Sequence, residues 1–102
     1  MIIVYCTTPS LNEAKVIAEA LVNSKLAACV NIIDNIKSFY LWKDKVCNDS
    51  ETVMIIKTKK ELFSQVQTKI KELHSYDTPC VLSIPVDNVE KKFDNWVNSV
   101  CT

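Results

Sequence analysis

Five cysteines and one histidine carry most of the chemistry that this sequence could perform. The cysteines are odd in number and widely spaced, at Cys6, Cys29, Cys47, Cys80 and Cys101. Because no two of them form a CxxC pair, the spacing argues against a disulfide framework and against a thiolate zinc site. His74 is the only histidine. Thiolate and imidazole are the ligands that soft metals prefer, so these side chains are the first candidates for metal chemistry.

The composition excludes several other classes of function. The chain has no glycine and no arginine, and its 12 lysines balance 12 carboxylates. A P-loop and a dinucleotide fingerprint both need glycines where the backbone approaches phosphate, so both are excluded. A chain without net charge has no field to collect nucleic acid or an acidic membrane surface. No apolar run approaches the ~18 residues that span a bilayer, and no signal peptide is apparent. We expect a cytoplasmic protein without nucleic-acid or membrane partners.

The first half of the chain predicts a strand, a helix and a long strand region. Residues 2–8 are rich in β-formers and precede a proline, which indicates a buried strand. Ser10 and Glu13 have the spacing of a capping box, and the apolar stripe that follows predicts a helix over residues 11–24. Residues 26–46 predict one long strand, or two, with a bend at Asp34-Asn35.

The second half repeats this order without repeating the sequence. Residues 51–57 predict a strand, and Thr58 with Glu61 suggests a second capping box before another amphipathic helix. Residues 80–86 predict a last strand, whose proline confines it to an edge or a bulge. Apolar residues between 89 and 100 predict a short amphipathic C-terminal helix.

Two strand–helix–strand units in one domain, residues 1–102, predict an α+β fold. Interleaved, they give a ferredoxin-like split βαβ sandwich with an antiparallel sheet, a long β-hairpin and helices on one face. A flavodoxin-like sheet is the alternative, although the chain is short for it. The strands at residues 2–5 and 53–56 are apolar on both sides, which is typical of strands covered on both faces. We expect copies of the chain to cover the second face; ordinary surface apolarity is the alternative.

The chain resembles the CutA family of divalent-cation tolerance proteins over almost its whole length. Each matching segment alone is a weak signal, but together they occur in the order and spacing of the family. The segments are Tyr5-Cys6-Thr7-Thr8-Pro9, Leu26 to Ile32, Ser38 to Val46, Ile56-Lys57-Thr58, His74 to Pro79, Ile84-Pro85-Val86 and Trp96.

This resemblance implies a tight homotrimer similar in design to the PII proteins. It implies that the hairpin around residues 40–45 reaches into a neighbouring subunit, with Tyr40 and Trp42 at the trimer interface. It also implies tolerance of, or response to, copper or another divalent cation, and no catalysis. A purely structural trimeric scaffold is the alternative function. An enzyme built on Cys6 as nucleophile and His74 as base is a third hypothesis, for which no orienting residue is apparent.

The resemblance also implies candidate site residues. Cys6 and His74 fall on positions similar to copper ligands of a bacterial member, in which a further histidine stands at the position of Leu73. The alternative is that Cys6 is a small buried hydrophobe and His74 a helix-end residue near exposed carbonyls.

Cys29, Lys57 and Tyr76 fall on positions that gather near the clefts between subunits. A lysine in a partly enclosed cleft could hold an anion as a point charge. For these three residues, and for Tyr40 and Trp42, packing in an interface is the alternative.

Overall fold

Four strands and three helices follow one another along the chain in a computed structural model that describes all 102 residues. Their bounds are β1 Ile2–Thr8, α1 Leu11–Asn23, β2 Cys29–Trp42, β3 Lys45–Thr58, α2 Phe63–Leu73, β4 Val81–Pro85 and α3 Lys91–Val100. The strands form one antiparallel sheet in the order β2-β3-β1-β4. This is the α+β, split βαβ arrangement that the sequence predicts. Pro85 lies on an edge strand, as expected.

The core lies between one face of the sheet and the helices α1 and α2. Alternation along the central strands turns Val4 and Cys6 of β1, and Met54 and Ile56 of β3, toward the helices, and all four are fully buried. They form one cluster with the apolar stripes of the two helices, which include Ala14, Ile17, Leu21, Val66 and Ile70. Burial of each large aliphatic side chain stabilises the fold by roughly 1.5–3 kcal/mol.

The opposite side of the sheet, here called the open face, carries mostly apolar side chains. Cross-strand pairing aligns two rows on it, Cys29, Lys57, Ile3 and Ile84, then Asn31, Ile55, Tyr5 and Leu82. Leu82 and Ile84 are each 45 % exposed. Neither α1 nor α2 covers this face, because both contribute to the cluster on the other side.

The strands β2 and β3 continue past the sheet as a two-stranded ribbon, residues 36–51. Within it the two strands pair only with each other. A two-residue turn closes the tip, with φ of 51° at Lys43 and 63° at Asp44. Both positive values fit the twist of a tight hairpin. The molecule measures 45 × 26 × 22 Å, so the ribbon makes it elongated.

A bulge at Asp34–Asn35 separates the ribbon from the sheet. Ile33 pairs with Val53 but Ile36 pairs with Glu51, so β2 has one extra residue at this point. Asn35 adopts a φ of 59°. Because of the extra residue, the odd-numbered residues of β2 face the open side before the bulge, and the even-numbered residues face that side beyond it.

One prediction from sequence is wrong. Thr58 does not cap α2: it ends β3, and its hydroxyl donates to the carbonyl of Leu26 at 2.6 Å. A 3₁₀ turn, Lys60–Leu62, leads into α2 instead. Cys47 lies in β3 and is partly buried, whereas Cys80 is exposed.

None of the three helices has both the length and the apolarity to cross a membrane.

Candidate functional site at the ribbon root

The two candidate metal ligands, Cys6 and His74, converge on one backbone carbonyl. Cys6 Sγ lies 3.7 Å from the carbonyl oxygen of Thr7, and His74 Nε2 lies 2.8 Å from the same atom. Cys6 is held by β1, while His74 is the C-cap of α2 and begins the connection to β4. The fold therefore brings together the cysteine and the histidine that the sequence analysis selected.

Both ring nitrogens of His74 are engaged in hydrogen bonds. A carbonyl oxygen can only accept, so Nε2 carries a proton and donates it to Thr7. Nδ1 accepts from the backbone N–H of Tyr76 at 3.0 Å, which makes the imidazole neutral. The ring is fully buried, and it stacks at a tilt on Tyr76 with 4.8 Å between centroids. A metal could bind Nδ1 only after the Tyr76 amide moves away.

The Cys6 thiol is strongly biased toward its protonated form. Burial, followed by the negative surroundings of Cys80, Glu13 and Glu51, raises the pKa of Cys6 from 9.0 to about 12. A thiol binds a metal as thiolate, so a metal at Cys6 must displace this proton. No three His, Cys, Asp or Glu side chains gather within the protomer in a way that could hold a metal ion.

Glu13 belongs to this site, although the sequence analysis assigned it to a capping box. Half of the box forms, because Ser10 Oγ accepts from the N–H of Glu13 at 3.2 Å. The Glu13 carboxylate does not return to Ser10. It accepts instead from the N–H of Ser75 at 3.1 Å, and its oxygen lies 3.4 Å from His74 Nδ1. Glu13 thus ties α1 to the loop that carries the histidine.

Two tyrosine–carboxylate pairs mark the ribbon root, which we define as Tyr40, Asp49, Glu51 and Tyr76. Tyr76 donates to Glu51 at 3.1 Å, and Tyr40 donates to Asp49. Burial, then the bond to Glu51, raises the pKa of Tyr76 to about 12. The bond to Asp49 is the main cause that raises the pKa of Tyr40, also to about 12. Tyr76 thereby connects the histidine loop to the ribbon.

Sequence reasoning missed both carboxylates of the ribbon root. Glu51 begins a predicted strand and Asp49 lies just before it, and no local pattern links either carboxylate to the tyrosines. Trp42, the second predicted interface aromatic, lies at the ribbon tip and is 63 % exposed.

Cys29 and Lys57 lie together, but far from Tyr76. They are cross-strand partners on the open face. The Lys57 ammonium lies 5.7 Å from the centroid of the Phe93 ring, within the range of a cation–π contact. Lys57 lies six positions after Glu51 along β3, which corresponds to roughly 20 Å. Within one protomer the three predicted cleft residues therefore fall into two separate groups.

Comparison with known proteins agrees with this architecture. The profile of the family described as CutA1 divalent ion tolerance protein matches residues 2–100. A divalent-cation tolerance protein CutA from Archaeoglobus fulgidus is 46 % identical over 93 % of this chain and 92 % of its own length. The chloroplastic protein CutA of Arabidopsis thaliana is 39 % identical over 96 % of this chain. The chain spans only 54 % of that plant relative.

Solved structures give the same result. The divalent cation tolerance protein Cut A1 from Thermus thermophilus superposes with a TM-score of 0.97 at 33 % identity, covering 100 % of both chains. A structure titled as the periplasmic divalent cation tolerance protein CutA from Archaeoglobus fulgidus superposes with a TM-score of 0.95 at 44 % identity, covering 98 % of both chains. Sequence, strand order and backbone geometry agree along almost the full length. This chain therefore belongs to the CutA1 divalent ion tolerance protein family.

Proposed function

We propose that this chain works as a homotrimer in the tolerance of, or response to, divalent metal ions, with copper or another divalent cation, or a small ligand, bound in the clefts between subunits. The proposed role is binding and assembly rather than catalysis. The observation that carries the proposal is that one protomer has both a two-stranded ribbon without neighbouring strands and an apolar open face.

The ribbon supports assembly because it lacks neighbours of its own. An isolated two-stranded hairpin is marginally stable in water. Here the tip nevertheless presents Phe39, Leu41 and Val46 at 72 %, 73 % and 72 % exposure. Contiguous exposed apolar surface of this kind marks an interaction site. Tyr40 and Trp42 add amphipathic aromatics of the type that anchors interfaces.

The donor set supports a soft metal at Cys6 and His74. A thiol and an imidazole that meet at one carbonyl suit Cu(I) better than a hard cation. Binding at this carbonyl would require the loss of the Cys6 proton and the release of His74 Nε2 from its hydrogen bond to Thr7. These two steps add a cost to metal affinity and couple it to the conformation of the loop after α2.

A trimeric scaffold without a bound metal is the second candidate. It is favoured by the hydrogen bonds on both nitrogens of His74, because they give the buried ring a structural role. The same bonds, together with the raised pKa of Cys6, disfavour a nucleophile–base pair.

A cytoplasmic location is part of the proposal. The five cysteines are free, and Cys80 is exposed. Exposed unpaired thiols suit a reducing compartment. Relatives described as periplasmic and chloroplastic show that the family occurs in other compartments too.

The mass of the native protein tests assembly. At micromolar concentration we expect three times the 11.6 kDa protomer mass by native mass spectrometry and light scattering. A monomer would refute both the metal-binding trimer and the scaffold.

Titration with Cu(I) under argon, in competition with a chromophoric chelator, separates the two candidates. For a metal site we expect His74→Ala and Cys6→Ala each to weaken binding at least about tenfold. Cys47→Ala, which removes a ribbon thiol, is the matched control and should leave affinity unchanged. Circular dichroism verifies that each variant is folded. Absent binding, or binding that His74→Ala does not alter, would refute this metal site and leave the scaffold.

A further inference from the structure

Lys57 is a cation without a counter-charge. The only lysine–carboxylate salt bridge of the protomer is Lys69–Glu72, so no carboxylate oxygen lies within 4.0 Å of the Lys57 ammonium. The side chain is partly buried on the open face, beside Cys29 and over the Phe93 ring. Among the residues of the four strands that alternate onto this face below the bulge, Lys57 is the only one with a formal charge.

Glu51 is an anion that has no cationic partner within the protomer. Alternation along β3 turns Glu51 to the same side of the strand as Val53, Ile55 and Lys57. Its carboxylate receives a neutral hydroxyl from Tyr76 and no cation. The neighbouring carboxylate of Asp49 likewise receives only the hydroxyl of Tyr40.

These two charges cannot meet within one chain. Six residues of extended strand place them roughly 20 Å apart, beyond the combined reach of a lysine and a glutamate. In a single protomer the separation costs little, because water solvates both groups. If a second copy covers the open face, both groups lose water, and a desolvated charge is stable only when it is paired.

We propose that Lys57 of each subunit forms an ion pair with Glu51 of the next subunit around the ring. This inference rests on the proposed homotrimer and specifies how its copies contact one another. Each subunit offers Lys57 to one neighbour and Glu51 to the other, so the contact is heterologous and repeats three times when the ring closes. The pair fixes the direction in which one sheet lies on the next.

Charge reversal tests the pair. Lys57→Glu and Glu51→Lys alone each place like charges in every interface. We expect each to raise the concentration at which the trimer dissociates by at least about 30-fold. The double variant restores opposite charges in all three interfaces and should recover most of the loss. Lys71→Glu, on the exposed surface of α2, is the matched control and should leave dissociation unchanged.

Mixing the two single variants adds an independent readout. A closed ring of three must contain at least one interface between two subunits of the same kind. The mixture should therefore assemble less stably than the double variant, in which every interface is complementary. Circular dichroism checks that each variant is folded, and Lys57→Met, which keeps the apolar stem, tests the charge alone.

The outcomes separate the two proposals. A monomeric wild-type protein refutes the proposed trimer, and this inference with it. A trimeric wild-type protein whose double variant is no more stable than either single variant refutes the Lys57–Glu51 pair alone. The same holds if the charge reversals leave dissociation within about twofold of the wild-type value.

Discussion

His74 connects its own loop to two elements at the opposite end of the sequence, β1 and α1. Its ring donates to Thr7 of β1, accepts from Tyr76 in the following loop and lies beside Glu13 of α1. Each hydrogen bond of a buried polar group contributes about 1 kcal/mol, and leaving one of the groups unpaired costs more. The residue thus stabilises the protomer whether or not a metal binds.

Stability should fall at alkaline pH because of Cys6. Its pKa is raised in the folded protein from 9.0 to about 12, so the stability linked to its proton is complete below pH 9 and is lost as the pH rises toward 12. The loss amounts to at most about 4 kcal/mol. Urea unfolding between pH 7 and 11 should show this decline, and Cys6→Ala should flatten part of it.

The control for this prediction is Cys101→Ala, which removes a different buried thiol. It should keep the alkaline decline of the wild-type protein. Tyr40 and Tyr76, whose pKa values are raised in the same direction, leave a residual slope in every variant. An identical pH profile for Cys6→Ala and the wild type would contradict the assignment of the alkaline stability loss to Cys6.

Sequence could select Cys6 and His74 but not their partners. The cysteine and the histidine are recognisable by residue type and by their place in family-like segments. The groups that set their chemistry, Glu13 and the Tyr76 amide, come from other elements. Glu13 also satisfied a local pattern, the capping box, which concealed its contact with the histidine loop.

At the scale of elements, the absence of glycine has a visible conformational cost. Four residues adopt positive φ, at Lys25, Asn35, Lys43 and Asp44, and all carry side chains. The left-handed conformation costs a residue with a Cβ roughly 1 kcal/mol relative to glycine. Lys25 follows the C-cap of α1, where the N–H groups of Lys25 and Leu26 bond back to the last turn of the helix. Glycine is the usual residue at this position.

Lys25→Gly should therefore stabilise the protein by about 1 kcal/mol, although glycine is a poor helix former. The matched control is Lys15→Gly, at an exposed position inside α1, where the same substitution should destabilise by a similar amount. Thermal unfolding of both variants at one protein concentration measures the difference. Two shifts of the same sign would contradict the conformational explanation.

Most elements were predictable, and the exceptions share one cause. β1 and α1 appear within one residue of their predicted bounds because their periodicity is local. Thr58 failed as a cap because its hydroxyl bonds to Leu26, which is remote in sequence. The length of β3 was likewise underestimated, since its first half, residues 45–50, extends only by pairing with β2.

At the scale of the whole molecule, the protomer is more extended than a compact chain of its length. Its radius of gyration is 14.2 Å, against about 13 Å for a compact chain of this length. The excess comes from the ribbon. Apolar residues on both sides of the strands allowed the sequence to predict that the second face is covered. The pattern of one chain does not identify the surface of the neighbouring copy that covers it.

Leu41→Ser at the ribbon tip should weaken assembly while leaving the protomer fold unchanged. Leu41 is 73 % exposed in the protomer, so its side chain contributes little there and much more if a neighbour covers it. We expect the dissociation concentration to rise about tenfold or more by light scattering. Val16→Ser, at a 56 % exposed position on α1, should have no such effect. Equal behaviour of the two variants would exclude the tip from the interface.

The bulge at Asp34–Asn35 holds one residue more than the pairing needs, because two residues of β2 lie opposite Thr52 there. Loss of Asn35 would keep Ile36 opposite Glu51, so Tyr40 and Trp42 would stay on their present side of the hairpin. A residue lost further along β2 would instead exchange the faces of all the residues between it and the tip. Among homologous genes, a single-residue gap should consequently be tolerated at this point and rare in the rest of the hairpin.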